Sequence, residues 1–207
     1  MSEANGNSLH SLVGLPGPFS VIYADPPWPI SANCTAPVPS GRPNSRPYKA
    51  MRMVDIFRLP VADIAAPSSV LFMWATSPLL PEAIYCMNAW GFDFKSVAFT
   101  WVKRNRASEG WFWGMGWWTR SNPEFCLLGT RGDPKRVAAN VHSVIDAPVG
   151  GHSAKPPETR ERIVRLMGDL PRVELFCRGP APEGWTVWGN EVEANIAVSG
   201  GGGADVH

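Results

Sequence analysis

Short, nearly unbroken apolar runs set the rhythm of this chain. Phe19–Ala24, Val70–Trp74 and Val173–Phe176 are rich in β-formers and read as strands buried on both faces, as in a parallel sheet. Ser96–Val102 alternates instead, with Val97, Phe99 and Trp101 on one side; Glu124–Gly129 and Val141–Ile145 predict two further strands. Helical spacing appears between them. Met53–Arg58 predicts a short helix closed by Leu59-Pro60. Pro81–Trp90 predicts another, with Ile84, Met87 and Trp90 on one face and Gly91 as its stop. Pro156-Pro157 opens a third that runs to about Met167, with Ile163, Leu166 and Met167 inward and Glu158/Arg162 at i,i+4 outside. Trp185–Glu193 closes the pattern. Strand alternating with helix argues an α/β fold around a mainly parallel sheet.

Three stretches stand outside this rhythm. Residues 1–18 read as a loose N-terminal arm and 199–207, with a four-glycine run, as a disordered tail, which leaves 1–198 as one domain. Residues 29–50 are a proline-rich loop carrying Arg42, Arg46 and Lys49, either a phosphate contact or a solvated surface. Residues 103–123 interleave cations with rings: Lys103, Arg104 and Arg106, then Trp111, Phe112, Trp113, Trp117, Trp118 and Arg120. That mixture suits a nucleic-acid strand with splayed bases; a hydrophobic flap or a homodimer or heterodimer interface through 103–120 is the other reading.

Composition narrows the classes. The chain of 207 residues is 44% hydrophobic and 18% charged, a globular balance, and its net charge of +1 means that any nucleic-acid contact must come from a local patch. Cys34, Cys86, Cys126 and Cys177 form no C-x-x-C pair; three of them sit inside apolar runs and read as buried thiols, and a reducing, cytoplasmic compartment is the simplest setting. His10, His142, His152 and His207 lack metal-ligand spacing, so no metal is expected; no apolar run is long enough to span a bilayer.

The candidate chemistry sits at Asp25-Pro26-Pro27-Trp28, directly after the first strand. Ligands of α/β sheets bind beyond the carboxyl ends of strands. A carboxylate there, on backbone stiffened by two prolines, fits the handling of a weakly nucleophilic amine such as that of adenine. Asp25 would accept one N–H, the Pro26 carbonyl the other, and Trp28 would cover the base. A plain Asp-Pro-Pro turn is the alternative at this level.

Downstream motifs change that balance. Pro47-Tyr48, Leu71-Phe72-Met73-Trp74, Trp101-Val102-Lys103, Asn122-Pro123-Glu124, Ser153-Ala154-Lys155-Pro156, Glu174-Leu175-Phe176-Cys177-Arg178 and Gly189-Asn190-Glu191 follow in order. Together with Asp25-Pro26-Pro27-Trp28 they resemble the MT-A family of adenine-N6 methyltransferases over roughly Phe19 to Glu193. The resemblance implies a Rossmann-like, S-adenosylmethionine-dependent methyltransferase fold with permuted motif order. It implies a catalytic set of Asp25, Pro26, Pro27 and Trp28, and a cofactor site of Asp25, Lys155, Glu174, Phe176, Arg178, Asn190 and Glu191. Lys155 would meet the cofactor's carboxylate, and Asn190 and Glu191 its ribose; the family often carries Gln at the position of Glu191. Tyr48, Lys103, Arg104, Arg106, Trp117, Arg120 and Asn122 would face the substrate. The implied reaction is direct methyl transfer to adenine N6 by a site-specific enzyme, with DNA preferred to RNA as the partner. The same reaction on RNA, or a catalytically silent nucleic-acid-binding subunit, are the alternative readings.

Overall fold

The first strand, β1 (Phe19–Ala24), lies inside a seven-stranded sheet. In this computed structural model residues 12, 14–29, 51–114, 118–151 and 154–189 are described. The other elements are α1 (Met53–Phe57), α2 (Val61–Ile64), β2 (Ala65–Ala75), α3 (Leu80–Ala89), β3 (Asp93–Arg104), β4 (Glu124–Arg131), β5 (Val144–Pro148), α4 (Glu158–Met167), β6 (Arg172–Leu175) and β7 (Thr186–Trp188). Strand order is β5-β3-β4-β2-β1-β6-β7.

Both faces of β1 are covered, which is why its sequence shows no polar alternation. Ile22 and Ala24 pack with Leu71 and Met73 beneath α1 and α3; Val21 and Tyr23 pack with Phe72 and Trp74 on the opposite face, beneath α4. The polar tips buried on that second face are matched: the Trp74 indole donates to the Tyr23 hydroxyl at 2.7 Å. Burial pushes the Tyr23 phenol well above its ordinary range, so it stays a neutral acceptor and donor.

Helix boundaries follow local chemistry. α3 ends at Gly91, whose φ of +82° suits glycine; Gly91 N–H reaches Asn88 O and Phe92 N–H reaches Met87 O, both near 3 Å, a Schellman closure. α4 carries Ile163 and Met167 inward, while Leu166 is only half-buried, and Glu158 pairs with Arg162 at 2.6 Å on its outer side.

Two expectations shift. α2 is a single turn, too short to leave a periodic signature, and it runs straight into β2, which therefore begins before Val70. The extra residues of β2 are taken up by a register break opposite Phe19/Val21, where Pro67 can sit without spoiling the ladder. β5 starts at Val144 rather than Val141, because its parallel pairing begins at Thr100↔Val144 and only Ile145 reaches the core.

The sheet is mainly parallel, as expected, except around β4. Its pairings with β2 and β3 are antiparallel, and the remaining pairings are parallel. This reversal matters for the site. It brings the amino end of β4 to the carboxyl ends of β1, β2 and β3, with Phe125 opposite Ala75 and Glu124 opposite Trp101.

Candidate active site

Asp25 stands at that edge. Its N–H makes a long contact, 3.5 Å, with the Leu175 carbonyl at the end of β6. The following residues turn sharply: Trp28 N–H donates to Pro26 O at 2.8 Å, and Met51 N–H donates to Pro27 O at 3.1 Å. A carbonyl has two lone pairs, so Pro26 keeps one for a ligand.

The Asp25 carboxylate meets a chain of alternating charge. Lys155, in the approach to α4, places Nζ 2.8 Å from each Asp25 oxygen and 3.4 Å from Glu124 Oε2. Glu124 in turn receives Lys103 Nζ on Oε1 at 2.6 Å. Arg178, beyond β6, approaches Asp25 Oδ2 at 3.7 Å. Lys155 is only 10% exposed, and its ammonium also lies over the Trp74 ring. Burial alone would lower its pKa; the adjacent Asp25 and Glu124 carboxylates reverse that and hold it above its ordinary value. Burial likewise works to raise Glu124, and Lys155 and Lys103 overcome it, so the Glu124 carboxyl is held below its ordinary value.

Lys103 marks the root of the aromatic-basic segment. Its ammonium sits over the Trp101 and Phe112 rings, and its backbone is clasped by Asn122. Lys103 N–H donates to Asn122 Oδ1, and Asn122 Nδ2 donates to Lys103 O and Phe112 O, all within 2.6–2.9 Å. Above this clasp the chain leaves as a hairpin, with Asn105 N–H on Gly110 O and an isolated bridge Arg104↔Trp111; Gly114 N–H to Ser121 O closes a second turn. Trp118 lies in that turn with 98% of its surface exposed, and Trp113 is also exposed.

Two residues, Trp28 and Asn122, do not stand where the sequence suggested. Trp28 is 5% exposed, is packed in the core and donates Nε1–H to Trp74 O at 2.9 Å, so it anchors the turn and offers no free face for a base. Asn122 spends both amide hydrogens on the clasp, and at 7% exposure it organises the loop instead of lining an open pocket. Glu174 is buried and gripped by Arg160 through two bonds of 2.6 and 2.7 Å. Phe176 adopts φ +64° just past β6 and turns its ring between Trp90 and Trp188. Arg104 is half-buried, bidentate to Asp146 and stacked at 4.1 Å on Trp111, while Arg106 and Arg120 are exposed in the same segment. Tyr48, Trp117, Asn190 and Glu191 lie outside the described residues. The sequence did not single out Glu124, Arg160 or Asp146. Glu124 had two signals, its place in the Asn122-Pro123-Glu124 motif and an acid at the head of an apolar strand, but only the reversed strand shows which edge it reaches.

Among the described residues no His, Cys, Asp or Glu cluster could hold a metal ion, and no helix is long and apolar enough to cross a membrane. The α/β sheet, with an acid ending its first strand and the late strands β6 and β7 joined beside it, is a Rossmann-like S-adenosylmethionine-dependent methyltransferase fold with permuted motif order. The MT-A70 family profile matches residues 19–191, and the chain belongs to that family of N6-adenine methyltransferases.

Named relatives agree. The chain is 30% identical over 192 residues to the Type II methyltransferase M.MunI of Mycoplasma sp, covering 86% of this chain and 79% of that one. It is 29% identical over 184 residues to the N(6)-adenosine-methyltransferase catalytic subunit METTL3 of Homo sapiens, covering 87% of this chain but 29% of the human one. It is also 29% identical over 188 residues to the N(6)-adenosine-methyltransferase MT-A70-like of Arabidopsis thaliana, 25% of whose length it spans.

MT-A70 methyltransferases generally use S-adenosylmethionine, whose methionine part is a zwitterion. Asp25, Lys155 and Arg178 supply one anion and two cations at one strand edge, a donor set that fits such a group.

Proposed function

We propose that the chain is a DNA adenine-N6 methyltransferase that uses S-adenosylmethionine, and that residues 1–198 form its catalytic domain. The observation that carries this is Asp25, fixed at the carboxyl edge of β1 by the Pro26–Trp28 turn and flanked by Lys155 and Arg178. Lys155 and Arg178 would hold the cofactor's carboxylate and Asp25 its ammonium side, with Asn190 and Glu191 at the ribose. The cofactor, when bound, supplies an activated methyl group, so no metal and no covalent enzyme intermediate is needed.

The chain's own part is positioning and polarisation. The Asp25 carboxylate accepts one hydrogen of the adenine amine, and the free lone pair of Pro26 O accepts the other; both localise the nitrogen lone pair. Orientation of this kind is worth about 7–11 kcal/mol of barrier. Asp25 receives the proton that leaves as the N–C bond forms. The exposed rings Trp113 and Trp118, with the exposed Arg106 and Arg120 of the same segment, suit contacts to bases and phosphates around the target. In a duplex the adenine must leave the stack, at a cost of a few kcal/mol.

The preference for DNA rests on the likeness to the Type II methyltransferase M.MunI, 30% identical over 192 residues. Three buried free thiols, Cys86, Cys126 and Cys177, suit a reducing cytoplasm. The test is transfer of labelled methyl to matched double-stranded DNA, single-stranded DNA and RNA, with Asp25→Ala alongside. Label in DNA adenine, reduced about 10²–10⁴-fold in the variant, is the expected result. Label only in RNA overturns the substrate; wild-type turnover by Asp25→Ala overturns the mechanism.

A further inference from the structure

Glu124 is an acid that the mechanism above does not use, yet it is the hinge of the charge chain. Its two oxygens are divided between two ammonium groups: Oε1 takes Lys103 at 2.6 Å and Oε2 takes Lys155 at 3.4 Å. Both lysines are mostly buried, at 15% and 10% side-chain exposure, and so is Glu124 at 13%. Water therefore does little to screen either pair. Lys155 is contested. Its ammonium donates to both Asp25 oxygens and also stands 3.4 Å from Glu124 Oε2.

Asp25 can accept a hydrogen from an adenine amine only with a lone pair that Lys155 does not monopolise. A second anion on the far side of Lys155 draws the ammonium away from Asp25 and neutralises it locally. We propose that Glu124 is a positioning residue, which acts through Lys155 to keep the Asp25 carboxylate available as an acceptor and, through Lys103, ties that setting to the root of the 105–121 loop. The proposal rests on the reading of Asp25 as the group that meets the amine.

Among the described residues, groups from several elements face Lys155. They are Asp25 after β1, the Trp74 ring on β2, Glu124 and the Cys126 thiol on β4, and Arg178 after β6. Lys103 on β3 faces it only across Glu124. Among these described groups only Asp25 and Glu124 are carboxylates, so removing Glu124 takes one of those two anions from Lys155. The charge balance at the edge then changes from two anions against three cations to one against three.

The variant is Glu124→Gln, close to isosteric but neutral, with one amide oxygen that can accept from one of the two lysines. The first readout needs neither cofactor nor substrate: the rate of acetylation of Lys155 against pH, followed by peptide mass spectrometry. With one anion lost, the acetylation midpoint moves to lower pH, and labelling on the acid side of the midpoint rises about tenfold for every full pH step by which the midpoint falls. The second readout is methyl transfer. Lower kcat at little-changed KM for nucleic acid is expected, and in a Lys155→Met background the substitution Glu124→Gln should have no further effect on kcat. A merely structural acid would give additive losses and leave the Lys155 midpoint in place. Glu124→Asp, one methylene shorter, should lie between wild type and Glu124→Gln in both readouts, and it serves as the probe if the Gln variant does not fold. An unchanged Lys155 midpoint, or a kcat loss equally large without Lys155, overturns the proposal. Absence of methyl transfer by the wild type on every nucleic acid would instead overturn the assigned function, while the acetylation readout still reports the hold of Glu124 on Lys155.

Discussion

Replacing Lys155 by Met keeps the aliphatic stem and deletes the charge on which two carboxylates depend. The structure sets the scale. At 2.8 Å from each Asp25 oxygen, a unit pair in surroundings of effective dielectric near 20 is worth about 6 kcal/mol before desolvation. Removing one partner of a buried pair costs about 3–5 kcal/mol net. Side-chain exposures of 10% for Lys155 and 20% for Asp25 place the expected loss at the lower end, about 3 kcal/mol. With a urea slope of about 2–3 kcal/mol/M, the unfolding midpoint should fall by about 1 M at pH 7. The pH dependence distinguishes charge from packing. Lys155 is held above its ordinary 10.5, so its contribution is complete below that pH and fades as pH rises through the raised value. Glu124 is held below its ordinary 4.5, so its contribution is complete above that pH and fades as pH falls through the lowered value. The gap between wild type and Lys155→Met should therefore be widest between about 4.5 and 10.5 and narrow on both sides. Urea titrations at a series of pH values read this directly. A midpoint that moves by less than about 0.2 M at pH 7, or a gap that stays constant with pH, would refute the ionic account and leave only lost packing.

Two other substitutions test the frame around the charges. Asn122→Ala strips the clasp from Lys103 and Phe112 and should cost about 2–3 kcal/mol from three unmade hydrogen bonds; hydrogen exchange should show the amides of Lys103 and Phe112 opening first, and unchanged protection there would count against the clasp. Gly189→Ala drives a Cβ into the Cys177 carbonyl oxygen, so β7 must part from the end of β6; a loss of about 3 kcal/mol is expected by thermal unfolding, and a variant as stable as wild type would show that the two strand ends are not held this close.

The positions of β1, α3 and α4 were legible because each is local. Phe19–Ala24 is an unbroken apolar run, Gly91 can adopt the positive φ that ends α3, and Ile163 and Met167 repeat at helical spacing. The acid that ends β1, and the family it belongs to, were legible for the same reason: short motifs carry their chemistry in consecutive residues. What folding decided is which of those residues meet. Burial turned Trp28, an indole expected at the substrate face, into a core anchor, because its N–H finds the Trp74 carbonyl only across the sheet. The ordered motifs already joined Asp25, Lys155 and Arg178 by resemblance, but nothing local in the chain adds Glu124 to them or shows how residues so far apart in sequence meet. They converge because β4 runs against its neighbours and brings its first residue to the edge where β1 and β6 end. Charge interactions depend on distance and burial, and only the packed sheet sets either of them.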